Sequence, residues 1–189
     1  MQGKYIWKLL TANIIQDTYQ EWSGLESNND DFAMEYENFF EIIRKHNIGS
    51  HQGYNRTVYY GIFDKDKSTT ACAIVEMIHS NPAQNLNHTK LIDLKPSPVY
   101  LEKGLLNELG EIYIFALSNV LKEAIVDNKK FIKVYSRNHD FDVILEVVER
   151  RLNSSNKIPH IERAYFEGRK WLKIELSLSS HTNSLRKTS

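Results

Sequence analysis

The chain has 189 residues, 41% of them hydrophobic, and 24 basic side chains balance 24 acidic ones. That length supports one sizeable core and is short for two, and the balanced charge excludes the overall basic field that draws a protein to nucleic acid or an anionic membrane. A single cysteine, Cys72, excludes an internal disulfide and a multi-cysteine zinc site and fits a reducing compartment. The opening residues, MQGKYIWKLLTANIIQD, lack the apolar run of a signal peptide or a membrane span, so the expected location is cytoplasmic.

Residues 5–10 fit two patterns. Tyr5, Trp7 and Leu9 alternate as in a strand, while Ile6, Leu9, Leu10 and Ile14 match helical spacing, and the reading adopted is a first strand passing into a helix. Over 30–48, Phe32, Tyr36, Phe39, Phe40 and Ile43 form one apolar helical stripe. Its ends agree with the helix dipole: Asp30, Asp31 and Glu35 lie at the start, Arg44, Lys45 and His46 at the finish, and Gly49 can supply a left-handed stop. The runs 57–63 (TVYYGIF) and 71–78 (ACAIVEMI) are β-branched and aromatic, and the polar turn 64–68 between them makes a hairpin.

A polar loop around 81–88 leads to a third strand, 90–95 (KLIDLK), which Pro96 and Pro98 stop because proline cannot donate a ladder hydrogen bond. From 111 to 126 the apolar residues cover a wide arc, as in a helix packed on a sheet and beneath another element. Asp127-Asn128 turns into a strand over 131–136. Asn138 can cap the next helix, which carries Phe141, Leu145, Val148 and Leu152 on one face and ends near Asn153. The runs 161–166 and 171–176 flank Glu167-Gly168-Arg169 as a closing hairpin. A single domain is expected over 1–176, with a polar, mobile tail over 177–189.

This order of strand, helix, helix, three strands, helix, strand, helix and two strands resembles the GNAT acyltransferase superfamily over nearly the whole chain. The resemblance implies an α/β (α+β) fold with a mixed central sheet of six to seven strands flanked by helices. It also implies that the strands at 91–94 and 131–136 splay apart around acetyl-CoA or another acyl-CoA. The pyrophosphate would be held by backbone N–H groups of a glycine-bearing loop that opens the long helix. Pro98-Val99-Tyr100-Leu101-Glu102-Lys103-Gly104-Leu105 is similar to the family's proline, tyrosine, basic residue and first glycine at this place. Leu94, Lys95, Lys103, Gly104 and Asn138 are the cofactor-binding positions so implied. Leu101 stands where the family has Arg or Gln, Leu106 where it has a second glycine or alanine, and Gly104 is unusually far from the neighbouring strand. A second register starts the helix at Gly110, with Asn107 and Ile112 at those two positions, and both registers stay open. The family's helix tyrosine, which protonates the departing thiolate, falls near Leu145 when counted from Asn138, so Tyr135 is the substitute candidate. The implied activity is acyl transfer to an amine of a small molecule or a protein. Its alternative is a catalytically inactive GNAT-like protein that uses the groove or a basic surface for a partner. Homodimerisation is left open.

Acyl transfer to an amine needs a group that takes a proton from the ammonium, directly or through water, and a partly buried carboxylate with a raised pKa can do that. Glu76 shares a strand face with Cys72, Ile74 and Ile78 by period-two counting, and Asp93 lies between Ile92 and Leu94. Carboxylates in such apolar company imply either a functional role or a structural ion pair. The histidines form no ligand pattern, so no metal is expected. No hydrolase elbow is present, and Cys72 reads as a small core residue. Basic residues gather at Lys129, Lys130, Lys133 and Arg137 and again at Arg163, Arg169, Lys170 and Lys173, near Tyr165, Phe166 and Trp171. A solvated sheet surface is favoured there over a nucleic-acid site.

Overall fold

The structure, a computed structural model, describes residues 3–25, 30–47, 55–67, 69–80, 87–102, 105–137, 139–154 and 158–177. In chain order the elements are β1 (Tyr5–Leu9), α1 (Ala12–Leu25), α2 (Asp30–Asn47), β2 (Asn55–Asp64), β3 (Ala73–Ser80), β4 (His88–Pro96), α3 (Pro98–Glu102), α4 (Leu106–Val126), β5 (Phe131–Tyr135), α5 (His139–Asn153), β6 (Ile161–Glu167) and β7 (Trp171–Leu176). The strands form one mixed sheet in the order β1-β2-β3-β4-β5-β7-β6. Only β4 and β5 pair in parallel, joined through α4, and the other neighbours are antiparallel.

Period-two alternation sends the two faces of β3 to different helices. Ala73, Val75 and Met77 join Leu91 and the buried side of α4, including Leu109, Ile112, Tyr113, Ala116 and Val120, in one core cluster. Ile74 on the opposite face meets Tyr59 and Phe63 of β2, Ile15 and Trp22 of α1, and Tyr36, Phe39, Phe40 and Ile43 of α2 in another. The wide apolar arc of α4 follows from its contact with the sheet on one side and with Phe141 and Leu145 of α5 on the other. Four of the five stripe residues of α2 are buried as expected, and the side chain of Phe32 lies outside the described residues. Gly49 and the tail beyond Ser177 also lie outside them.

Several boundaries differ from the sequence expectations. The long helix begins at Leu106, five residues before Glu111, and a separate short helix opens with Pro98, whose fixed φ suits a first helical turn. Strand β4 reaches Pro96 at its end, and β5 stops at Tyr135 without Ser136. Cys72 is not in β3. It sits in a bend whose N–H donates to Ile62 O at 2.8 Å, so the alternation that would align it with Ile74 and Glu76 is broken, and it packs on the α4 side.

Two further details fix the frame. An added Cβ at Gly61 of β2 would come within 2.5 Å of the Phe63 ring and 2.8 Å of a Leu10 methyl, so the packing there leaves room for hydrogen alone. At the far end, the Asn153 side chain accepts from Ala164 N at 2.9 Å and donates to Ala164 O at 2.7 Å, tying the end of α5 to β6.

Candidate functional site

The parallel ladder between β4 and β5 covers His88–Leu91 against Phe131–Val134 and then ends. Strand β4 continues for five residues, while β5 has one left. A bulge accompanies this parting: Glu76 pairs with Asp93 but Met77 pairs with Leu91, which leaves Ile92 as an extra residue in β4. Bulges bend a strand and raise its twist, so this one turns β4 away from its parallel neighbour. Between the parted strands is a cavity of about 360 Å³, lined by Asp93, Leu94, Lys95 and Pro96 of β4, Tyr135 and Arg137 from the end of β5, and Leu101, Tyr113, Phe141, Glu35 and Tyr36 from the helices. The Tyr113 and Phe141 rings stack at 4.5 Å beside it. Tyr36 donates its hydroxyl to Pro96 O at 2.8 Å, a buried bond that fixes α2 to the free end of β4.

A second hollow of about 220 Å³ continues under α2. It shares Glu35, Asp93, Lys95 and Arg137 with the first and adds Asn38, Phe39, Ile42 and Glu76. Its charges divide into pairs and a remainder. Lys95 is paired with Glu35 and lies 5.1 Å from the Tyr36 ring centroid. Buried Asp93 is paired with Arg137. Glu76 forms no salt bridge among the described residues. Burial, followed by the charge of Asp93, pushes its carboxyl above the usual carboxylate range, and the opposing pulls of His46, Arg137 and the Tyr59 hydroxyl do not cancel this.

The backbone register explains why these groups meet. Tyr59 lies opposite Glu76 across β2 and β3, and Glu76 lies opposite Asp93 across β3 and β4, so the three form a row under α2. The Tyr59 phenol is pushed up by burial first and then by the Glu76 charge. On its other side, the Tyr59 oxygen is 3.1 Å from His46 Nδ1.

Of the residues singled out from sequence, Glu76, Asp93, Leu94, Lys95 and Tyr135 line this connected groove. Tyr135 packs on Trp171, with ring centroids 4.9 Å apart. Lys103, Gly104 and Asn138 lie outside the described residues. Gly110 is corrected: it is the fifth residue of α4, where a Cβ would meet nothing within 4 Å, so it neither starts the helix nor forms a close-approach loop. Of the two readings open for Asp93, a functional role or a structural ion pair, the structure has the pair, with Arg137. Sequence reasoning left Arg137 in a surface patch and did not single out Tyr59, His46, Tyr36 or Glu35. Counting symmetrically outward from the 64–68 turn sets Tyr59 against Ala73, and the actual register, with Ile62 opposite Ala73, brings Glu76 there instead.

Much of the two basic clusters is matched by acids. Glu167 receives both Lys133 and Lys173, Glu175 receives Arg163 and Lys173, and Asp142 receives Lys170. Among the described residues, no helix is long and apolar enough to cross a membrane.

No protein-family model and no curated protein matches the sequence. Solved structures do. A probable acetyltransferase from Staphylococcus epidermidis ATCC 12228 is 14% identical with a TM-score of 0.52, covering 91% of this chain and 96% of its own. The spermidine N-acetyltransferase from Vibrio cholerae, in complex with CoA and spermine, is 14% identical with a TM-score of 0.50, covering 93% of this chain and 97% of its own. The seven-stranded mixed sheet, the parting of β4 from β5 and these likenesses together establish that the chain has the GNAT acetyltransferase fold.

Proposed function

We propose that the chain is an acyl-CoA-dependent N-acyltransferase acting on an amine. The observation that carries this reading is the cavity between the parted β4 and β5, which continues under α2 to a half-buried carboxylate outside any ion pair among the described residues. Beyond Leu91, β4 has no ladder partner on the β5 side, so its backbone groups near Leu94 and Lys95 are left to meet the amides of an extended substrate arm. The first turn of α4 has no side-chain cap, which leaves its N–H groups for the pyrophosphate, with Lys103 and Gly104 just before them in the chain.

In this reading the acyl-CoA is a substrate and the acceptor enters from the α2 side. Glu76 takes the proton as the amine attacks the thioester carbonyl, because its raised proton affinity matches that task. Asp93, paired with Arg137, lies opposite Glu76 and adds to the rise in its proton affinity. Tyr135, at the cavity wall, supplies a hydroxyl for the departing thiolate. The CoA and spermine bound by the Vibrio cholerae neighbour support a groove of this kind.

One observation favours a second reading, a catalytically inactive GNAT-like binding or regulatory protein. Glu108 lies in the first turn of α4 and Leu106 is 69% exposed there, and an acidic side chain at that end opposes a pyrophosphate. Acetyl-CoA separates the two. At a hundred times its Kd it should stabilise the fold by about 2.7 kcal/mol, seen as a higher Tm. Free thiol should then appear when amines are added. Binding without thiol release would select the second reading, and the lack of any shift with acetyl-CoA or longer acyl-CoAs at millimolar concentration would overturn the first.

A further inference from the structure

The groove holds a half-buried carboxylate, which raises the question of how a proton taken up there leaves once an acceptor fills the hollow. We infer that Tyr59 and His46 form a proton relay from Glu76 to solvent. This rests on the acyltransferase reading and assigns two further residues to it. Tyr59 is 3% exposed, directly opposite Glu76, and its hydroxyl interacts with that carboxylate. The same hydroxyl oxygen lies 3.1 Å from His46 Nδ1, and the imidazole stands at the exposed end of α2 with its ring nearly parallel to the phenol. One hydroxyl therefore joins the groove to the outer surface.

The step balances without any change of oxidation state. As the amine nitrogen attacks the thioester, its proton passes to a Glu76 carboxylate oxygen. The carboxyl O–H then passes its proton to the Tyr59 oxygen while the phenolic proton moves to His46 Nδ1. The imidazolium loses its Nε2 proton to water, and exchange with water restores the starting tautomer. Imidazole suits the outer position because it is the side chain that exchanges protons near neutral pH. The other charged groups facing Glu76 or sharing its hollow are Asp93 and Lys95 on β4, Glu35 on α2, and Arg137 after β5. These are already joined as Lys95–Glu35 and Arg137–Asp93 pairs. Tyr59 and His46 act through Glu76 and touch no reacting atom.

The test measures turnover of the full chain with acetyl-CoA and an accepted amine in dilute, low-pKa buffer, where proton release to solvent limits the rate. His46→Gln keeps a hydrogen-bond acceptor for Tyr59 but cannot carry a proton. The expected result is a fall of about tenfold or more in kcat, with KM for the amine unchanged and the rate restored by added imidazole. Tyr59→Phe should show a similar fall that imidazole does not restore, with thermal unfolding reporting that both variants are folded. Wild-type kcat in His46→Gln, a fall that imidazole leaves untouched, or equal rescue of both variants would overturn the relay. A wild type that binds acyl-CoA but turns over no amine is a distinct outcome: the acyltransferase reading then fails and the relay falls with it.

Discussion

Two sets of charged side chains cross the same sheet, and their difference separates chemistry from scaffold. On β5, β7 and β6 the set faces outward. Lys133 stands directly opposite Lys173, an unfavourable cross-strand pairing that Glu167 resolves by receiving both ammonium groups. Arg163 then holds Glu175 at a pKa of about 2, with Lys173 and Tyr165 adding to the effect. Glu167 and Glu175 in that ladder each hold cations and are kept below the usual carboxylate range. Under α2 the row Tyr59, Glu76, Asp93 is sheltered, its cations are taken by Glu35 and Asp93, and Glu76 is pushed the other way. A closed ladder stabilises a surface. A row with one carboxylate left over stores proton affinity.

The sharpest way to break this contrast is Glu76→Gln. The amide keeps the shape and loses the basicity, so turnover should fall by about 10² to 10⁴, the usual contribution of a general base, while acetyl-CoA still raises Tm. Stability should move the opposite way to activity. A carboxyl whose folded pKa is raised contributes stability that is complete below its ordinary unfolded pKa and lost as pH rises through the raised value. The variant should therefore gain on wild type in Tm as pH rises from below the ordinary glutamate range toward neutrality. A Tm difference flat across that window, with activity retained, would place Glu76 among the structural acids.

Arg137→Gln comes next. It strips the partner from a carboxylate that is 6% exposed, which in a fully buried pair costs about 3–5 kcal/mol. The guanidinium here is 58% exposed, so the expected loss is nearer 2 kcal/mol. Losing this cation also removes one of the pulls that lower the Glu76 pKa, so the acid limb of the kcat profile should shift to higher pH. A profile that does not move would uncouple the two carboxylates despite their cross-strand register.

How far these rows were legible in the sequence depends on the kind of signal each leaves. The hairpin, the α2 stripe and the alternation of Leu172, Ile174 and Leu176 are periodic, and periodicity follows from burial of one face. Glu76 also stood out, as a charge in an apolar run. The Asp93–Arg137 pair did not, because 44 residues separate its members and the bulge at Ile92 sets its geometry. The start of α4 was misplaced for a related reason. Leu106, Asn107 and Gly110 make a weak apolar pattern, and Leu106 is left exposed, so the first helical turn has no buried stripe to announce it.

Gly61→Ala tests the packing beneath the sheltered row. The new methyl would press into the Phe63 ring and Leu10 on the face that Tyr59 shares, and overpacking of this kind costs on the order of 1–2 kcal/mol. The loss should appear in urea midpoint with an unchanged m value. A neutral result would mean that Phe63 can swing aside, and a second measurement, kcat, would then report whether Tyr59 had moved with it.

The smallest expected effect belongs to the exposed ladder. In Glu175→Gln the carboxylate that gathers Arg163, Lys173 and Tyr165 becomes neutral, but Arg163 is 64% exposed and screened by water and salt, and Lys173, at 16%, keeps Glu167 as a second partner, so the loss at neutral pH should stay within about 1 kcal/mol and shrink further at high ionic strength. Its pH dependence carries the information. A carboxyl whose folded pKa is lowered contributes stability present above its unfolded value and lost as pH falls toward about 2. The wild type should thus lose its small advantage over the variant across the acid range, the reverse of the trend expected for Glu76→Gln. Thermal unfolding of both variants and the wild type at matched pH reads the two slopes side by side. Slopes of opposite sign would sustain the distinction between the closed ladder and the open row. Slopes of the same sign would mean that burial under α2 does not set Glu76 apart, and the case for its chemistry would then rest on turnover alone.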